Sequence, residues 1–198
     1  KNFNCDLRIK KNCKVVTKNI DVVIMCSANS SGAKVMRSNP MEHFNPNIIM
    51  NINMLEAAYE NKVKKFIFLS SNAIYPVSKR AMKEEDENTI FFEGYFIAAW
   101  MKKISEIACE IYSKKLVNKM VTIIVRPGNL YGPRDKFDPL KSKVIPSLIR
   151  KIFESSGKLD VWGDGNDIKD FLYIDDFTKA IEKIVFKLNN HCTLNIAS

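Results

Sequence analysis

Short apolar runs alternate along the chain with longer segments in which apolar side chains recur every three or four residues. Residues 21–26, 65–70 and 121–126 form such runs, each with the length and composition of a strand buried on both faces. The intervening segments have helical spacing. This alternation predicts right-handed βαβ units and therefore an α/β fold with a doubly wound parallel sheet.

Polar residues predict where the two long helices begin. Asn45 and Pro46 suit the cap and the first position of a helix over about 46–61. Tyr95 opens a second helix over about 95–113, after a polar loop at 76–93.

The last third of the chain has a less regular pattern. Beyond Gly132 the predicted elements are a helix over 144–153, short strands over 159–162 and 171–174, a helix capped by Asp175 and Asp176 that runs to about Leu188, and a strand over 193–197. Gly163 and Gly165 predict a hairpin turn between the two short strands. They form no dinucleotide fingerprint, because Ile168 stands where the third glycine would fall and no helix follows.

Composition narrows the classes of function. The chain has 198 residues, 46% hydrophobic content and a net charge of +9. Its lysines are spread over many segments, so we expect no nucleic-acid partner, although the positive field favours an anionic ligand. No apolar run reaches the roughly 18 residues of a membrane span and no secretory signal opens the chain, so we expect no membrane association.

Cysteine and histidine usage favours a cytoplasmic protein without a metal. The five cysteines are scattered without CxxC pairs, as expected for reduced thiols. The two histidines stand at no spacing typical of metal ligands.

Tyr95 and Ala99 form the most informative pair of positions. They lie four residues apart and share one helix face. A tyrosine has an ordinary pKa near about 10, and a cation at the second position would stabilise its phenolate. A large class of nucleotide-cofactor enzymes has Tyr and Lys at this spacing. A tyrosine without that cation is more often a packing residue, so the pair alone leaves both roles open.

Two other segments follow predicted strands. Ser71 comes directly after 65–70, where ligands of open parallel sheets bind, and its hydroxyl could bind a substrate oxygen or cap the turn. Residues 126–135, RPGNLYGPRD, follow the next strand and on composition alone are a turn-rich loop.

In this order, these segments resemble the extended short-chain dehydrogenase/reductases, the NAD-dependent epimerase/dehydratase family that acts on nucleotide sugars. The resemblance rests on FLSSNAIYP at 68–76, the helix from Tyr95, RPGNLYGPRD, and VWGDGNDIKDFLYIDD at 161–176, and it covers nearly the whole chain. NLYGPRDKF and VIPSLIRK are most similar to the GDP-L-fucose synthase branch.

The resemblance implies a Rossmann-like cofactor domain and part of a small C-terminal substrate domain. Residues 1–132 would form a partial cofactor domain. Residues 133–198 would combine substrate-domain segments with a returning strand and helix. The implied cofactor is NADP or NAD, and the implied substrate is a nucleotide sugar.

The resemblance also assigns roles to individual positions. Tyr95 matches the acid/base tyrosine, Ser71 matches a serine that binds the same substrate oxygen, and Ala99 occupies the lysine position. The matching cofactor positions are Asp6, Leu7, Ser27, Ala28, Asn29 and Tyr95. The matching substrate positions are Asn72, Asn129, Lys143, Trp162 and Lys169.

Several positions depart from the family pattern. Ala99 lacks the cation, and Lys102 and Lys103 lie on other turns, so we expect impaired activity. Ala73 and Lys143 replace the cysteine and histidine with which the GDP-L-fucose synthase branch epimerises its substrate. No GxxGxxG occurs, so the glycine-rich first βα unit is expected to be absent from this chain, which would then be a fragment of a longer protein.

Two hypotheses follow. The first is an NAD(P)-dependent epimerase or reductase of GDP- or UDP-sugars. The second is a non-catalytic family member that binds a nucleotide sugar or a cofactor, or acts as a scaffold. The resemblance further implies a homodimer through the helices at 46–61 and 95–113.

Overall fold

The computed structural model describes residues 4–29, 38–139, 141–161 and 163–198. The helices are α1 (Lys10–Val16), α2 (Pro40–Glu60), α3 (Phe96–Lys114), α4 (Val144–Glu154) and α5 (Ile174–Lys187). The strands are β1 (Val22–Met25), β2 (Lys65–Leu69), β3 (Val121–Pro127), β4 (Asn129–Tyr131), β5 (Phe171–Tyr173) and β6 (Cys192–Ile196). No helix in these ranges is long and apolar enough to cross a membrane.

The predicted parallel sheet is confirmed. Strands β1, β2, β3 and β6 lie in this order, and all neighbouring pairs are parallel. A central row of the sheet pairs Ile24 with Ile67, Ile67 with Ile123, and Ile123 with Cys192. Since all strands run the same way, their carboxyl ends meet at one edge, which is where ligands bind in such sheets.

Helices cover both faces of the sheet, as a doubly wound fold requires. Successive residues of β2 point to opposite faces. Phe66 and Phe68 pack with Leu55 of α2 and Cys109 of α3. Ile67 packs on the opposite face, in the cluster that contains Phe177 of α5. Burial on both faces explains why the strand sequences are continuous apolar runs.

Three predictions at the level of elements were wrong. Helix α2 begins at Pro40, not at Pro46, because Asn39 and Pro40 give the same Asn-Pro signal six residues earlier. Residues 159–161 form no strand, and Val161 is 57% exposed. Gly163 and Gly165 therefore do not turn a hairpin, and β5 pairs in parallel with β4 instead.

Smaller differences concern element ends and short elements. Helix α5 begins at Ile174, so Asp175 and Asp176 lie in its first turn, where they complement the helix dipole without capping it. The sequence analysis missed α1 and β4, which are short.

A buried ion pair joins β3 to α3. Arg126 and Glu106 are 4% and 3% exposed, and their two hydrogen bonds measure 3.0 Å from Nε to Oε1 and 2.8 Å from Nη2 to Oε2. Arg126 also donates to the Tyr75 hydroxyl at 2.8 Å and the Glu84 carbonyl at 3.1 Å, and it pairs with Glu87. These bonds connect the sheet edge to the loop at 84–87.

Replacing Arg126 with methionine should strongly destabilise the protein. The change leaves the Glu106 carboxylate buried without its partner, which costs about 3–5 kcal/mol of the free energy of unfolding. Urea unfolding followed by circular dichroism measures this value. Arg80→Met is the matched control, because its pair with Asp86 is exposed and should contribute less than about 1 kcal/mol. Equal losses of unfolding free energy in the two variants would show that the buried pair contributes no more to stability than the exposed pair.

Candidate functional site

A groove lies beside the carboxyl end of β1. Its volume is about 410 Å³. It is lined by five of the six positions that the resemblance assigned to the cofactor, namely Asp6, Leu7, Ser27, Ala28 and Asn29, whereas Tyr95 does not line it. We call it the β1 groove. Its size is that of a site for part of a nucleotide.

Asp6 presents a charged carboxylate beside this groove. Its oxygens accept hydrogen bonds from the Arg8 side chain at 2.6–3.0 Å and from the Arg8 backbone N–H at 2.9 Å. These bonds lower the pKa of Asp6 to about 2. Asp6 is therefore an acceptor for ligand hydroxyls throughout the neutral range.

The loop that forms the second wall is fixed to α2 by Asn47 and Pro46. Asn47 is 1% exposed; its Oδ1 accepts from the Asn29 backbone N–H at 2.8 Å, and its Nδ2 donates to the Asn29 carbonyl at 3.0 Å. Pro46 lacks an N–H, so the Glu42 carbonyl has no helical partner. The Asn29 side-chain amide donates to that carbonyl at 3.1 Å. Pro46, which the sequence predicted as the start of the helix, thus leaves a carbonyl inside α2 to which the loop binds.

The two serines at the end of β2 have different environments. Ser70 is 5% exposed and donates to the buried carboxylate of Glu106. Ser71 caps the turn Asn72–Ile74, and its Oγ accepts from the Ala73 N–H at 3.1 Å. The Ser71 hydroxyl donates to Asn72 Oδ1 across a long distance of 3.5 Å. The Ser70 hydroxyl is thus used in a bond within the fold, whereas the Ser71 hydroxyl can donate its proton to a ligand.

Tyr95 lies at the N-terminal end of α3, which packs against the turn that follows Ser71. Its side chain is 46% exposed, and its ring contacts the ring of Phe92 at a centroid distance of 5.6 Å. The Tyr95 side chain is therefore not buried in the core, and its acid/base role stays a prediction. Ala99, one turn along, is fully buried.

Lys102 and Lys103 have separate environments on α3. Lys103 forms an ion pair with Glu87, as part of the network around Arg126. The Lys102 ammonium donates to the Leu69 carbonyl at 2.6 Å, at the end of β2, and lies 5.0 Å from the centroid of the Phe68 ring. Burial lowers the pKa of Lys102 to about 8, against the raising effect of Glu106 and Cys26.

A second groove of about 350 Å³ lies at the carboxyl ends of β3 and β6. Its lining includes Asn72, Tyr75, Arg126 and Asn195. The Tyr75 hydroxyl donates to Asn195 Oδ1 at 2.7 Å and accepts from Arg126. Burial raises the pKa of Tyr75, so it remains neutral. We call this the β3 groove.

The predicted substrate residues do not all meet in the β3 groove. Of those that the structure describes, Asn72 alone lines it. Asn129 is tied to the Asp170 carbonyl through its side chain at 2.8 Å and its backbone N–H at 2.9 Å. Lys169 pairs with Asp167 at 2.9 Å. Trp162 lies outside the described residues.

Lys143, another predicted substrate residue, occupies the N-cap position of α4 without a side-chain capping bond. Burial and the nearby charge of Lys136 lower its pKa. A Cβ at Gly128 would lie 2.0 Å from Asp170 Oδ2, so a larger residue there requires the Asp170 carboxylate to move.

Sequence reasoning missed the residues that hold the site together. The contacts of these residues join elements that are far apart in the chain, and no local sequence pattern indicates such pairings. The residues are Arg126, Glu106, Asn47 and Asn195. The one local signal was a charged residue at the end of an apolar strand, Arg126, which is expensive to bury without a partner.

Comparison with known proteins supports the interpretation of the fold. The NAD dependent epimerase/dehydratase family matches residues 1–197. GDP-L-fucose synthase from Sinorhizobium fredii is 35% identical over 188 residues, covering 89% of this chain and 57% of that protein. The Escherichia coli GDP-L-fucose synthase is 33% identical over 174 residues, covering 83% of this chain and 52% of that protein. The chain thus spans about half the length of these curated relatives.

Solved structures agree in fold. A GDP-L-fucose synthetase from Naegleria fowleri bound to NADP superposes with a TM-score of 0.83 at 24% identity, covering 98% of this chain and 66% of that one. With a match that spans the described sheet and both groups of site residues, the chain belongs to the NAD-dependent epimerase/dehydratase family.

Proposed function

We propose that the protein is an NAD(P)-dependent reductase or epimerase of a nucleotide-linked keto-sugar, with a GDP- or UDP-sugar as substrate. One observation carries the proposal: Ser71, whose proton makes a long 3.5 Å contact with Asn72 Oδ1, and the exposed Tyr95 lie on neighbouring elements at the edge where the strands end. Family membership and relatives that are GDP-L-fucose synthases support this substrate class. The composition supports a cytoplasmic location.

The residues present fit part of a dinucleotide cofactor. The β1 groove supplies an ionised carboxylate from Asp6 for ribose hydroxyls and apolar contact from Leu7 and Met50. The printed sequence contains no GxxGxxG, so these residues would hold a nucleoside end and not the diphosphate. When bound, the nicotinamide gives a hydride to the substrate carbon or accepts one from it.

Tyr95 and Ser71 would manage the proton and the charge on the substrate oxygen. In the reducing direction the oxygen becomes an alkoxide as the carbon gains hydride. Tyr95 gives its proton to that oxygen and recovers one from solvent, to which it is 46% exposed. Ser71 donates a hydrogen bond to the same oxygen, and this bond strengthens as the negative charge develops.

Positions 73 and 143 favour reduction over epimerisation because together they supply one acid/base group instead of two. Epimerisation at a carbon beside the ketone needs a base and an acid on opposite faces of the sugar. Ala73 has no titratable group. Lys143 has a lowered pKa and retains an acid/base role. Ala99 is expected to impair activity, and the non-catalytic alternative predicts none. Both expectations depend on whether another cation takes over the role of a lysine at position 99.

Tyr95→Phe should lower kcat about 100-fold or more, because it removes the proton carrier and leaves the shape of the site unchanged. The assay follows NADPH and NADH oxidation by absorbance with GDP- and UDP-linked 4-keto-sugars, using the complete protein produced from its gene. Tyr112→Phe, on the same helix and packed on Tyr59, is the control.

Full activity of Tyr95→Phe would exclude Tyr95 as the proton carrier. If the unchanged protein gains thermal stability from the cofactor or the sugar nucleotide but turns over neither, the non-catalytic binding alternative is correct.

The adjacent serines should separate stability from activity. Ser70→Ala removes a bond to a buried carboxylate and should cost about 1.5–3 kcal/mol of the free energy of unfolding. Ser71→Ala should change stability by less than about 0.5 kcal/mol and lower kcat about 10-fold or more. Unfolding and steady-state assays on both variants test the division, and a reversed pattern would assign the substrate contact to Ser70.

The helices α2 and α3 support the proposed homodimer. They pack on each other through a bond from Asn51 to Ser105 at 2.9 Å, and Ile49, Ile107 and Ile111 are 44–45% exposed. Changing Ile107 and Ile111 together to glutamate should give a monomer by light scattering at micromolar concentration. Val117→Glu, at a 97% exposed position beyond α3, should not. A monomeric unchanged protein would contradict the proposal.

A further inference from the structure

The Lys102 ammonium lies near the carboxyl ends of two neighbouring strands. Its ammonium contacts the carbonyl of Leu69, the last residue of β2. It also interacts electrostatically with Cys26, the residue that follows β1. β1 and β2 pair directly, so the ammonium is positioned where a ligand that crosses the two strand ends would pass.

The ammonium retains capacity to bind a ligand. An ammonium has three N–H donors. Among the described residues, the one acceptor given for Lys102 is the Leu69 carbonyl, and its other near neighbour is the face of the Phe68 ring. Two N–H bonds thus remain for acceptors from a ligand. A partly desolvated cation with spare donors binds hydroxyls strongly, since little water must be displaced.

Helix geometry relates Lys102 to the position of Ala99. At about 100° per residue, Lys102 lies within about 20° of Tyr95 around the α3 axis. Side chains of a helix lean toward its N-terminus, so the Lys102 side chain extends back over the turn that contains Ala99. A small residue at position 99 leaves that path open.

We propose that Lys102 is the residue with which this chain binds the nicotinamide-side ribose hydroxyls of the cofactor, in place of a cation at position 99. This inference rests on the proposed function. Seven residues of helix separate Lys102 from Tyr95, a rise of about 10 Å. Lys102 therefore binds the cofactor but does not tune the tyrosine. Tyr95 is then left without a cation one turn along the helix.

Cofactor affinity tests the proposal without relying on turnover. Binding of NADPH and of NADH is measured by fluorescence titration and by the cofactor-induced rise in Tm. Lys102→Met should weaken binding about 10-fold or more, Lys102→Arg should retain most of it, and Ala99→Lys combined with Lys102→Met should restore it. Lys114→Met, an exposed lysine on the same helix, should bind as the unchanged protein does.

The pH dependence of binding gives a second readout. Affinity should fall as the pH rises past about 8, where Lys102 loses its proton, and Lys102→Met should lack this fall. The groups that face Lys102 are Glu106 on α3, Cys26 after β1 and His43 on α2. Burial lowers the pKa of His43 and raises that of Cys26, so both titrate outside this window.

The separation between binding the cofactor and tuning Tyr95 has its own test. The pH profile of kcat should shift with Ala99→Lys and should not shift with Lys102→Met. If Lys102→Met folds and binds the cofactor within twofold of the unchanged protein, Lys102 serves only to cap the Leu69 carbonyl and the inference is wrong. If the unchanged protein itself binds neither NADPH nor NADH, the proposed function fails along with the inference, which distinguishes the two cases.

Discussion

The contact between Arg126 and Glu106 is the constraint on which the site depends. A guanidinium and a carboxylate, both almost fully buried, hold the end of β3 against the middle of α3. Neither charge is tolerable in the interior without the other, so the helix and the strand cannot shift independently. Ser70 uses the same carboxylate, which fixes the backbone that presents Ser71. The tyrosine at the start of α3 is held at the strand ends by the same helix.

Most of the fold could be predicted from the sequence because burial on both faces leaves a local record. Residues 65–70 and 121–126 read as strands since every side chain in them must be apolar or paired. The same reasoning failed at Pro46, where a second Asn-Pro pair at 39–40 competes and tertiary contacts decide. It also failed at Val161, since an exposed apolar segment has no signal that distinguishes a strand from a loop.

The residue types and chain positions of the candidate site could be predicted from the sequence, but the contacts that support them could not. Ser71 and Tyr95 could be located because chain position and helix start are local properties. The contacts that support them join residues such as Tyr75 and Asn195, which are far apart in the sequence. Lys102 shows the same limit: helix spacing alone placed it on another turn, whereas the length and lean of its side chain determine where the charge lies. Sequence spacing describes Cα positions, and chemistry depends on side-chain ends.

The proline inside α2 makes the helix and the loop after β1 chemically incomplete without each other. The carbonyl of Glu42 is satisfied by a side chain from outside the helix, and Asn47 returns two bonds to that loop. A ligand that draws Asn29 toward the β1 groove therefore leaves a helical carbonyl to be solvated, and the local stability of the first turns of α2 falls with it. Ligand binding in the β1 groove and the order of the first turns of α2 are therefore thermodynamically linked. Cofactor binding then changes the stability of the face of α2 that is proposed to contact the partner subunit.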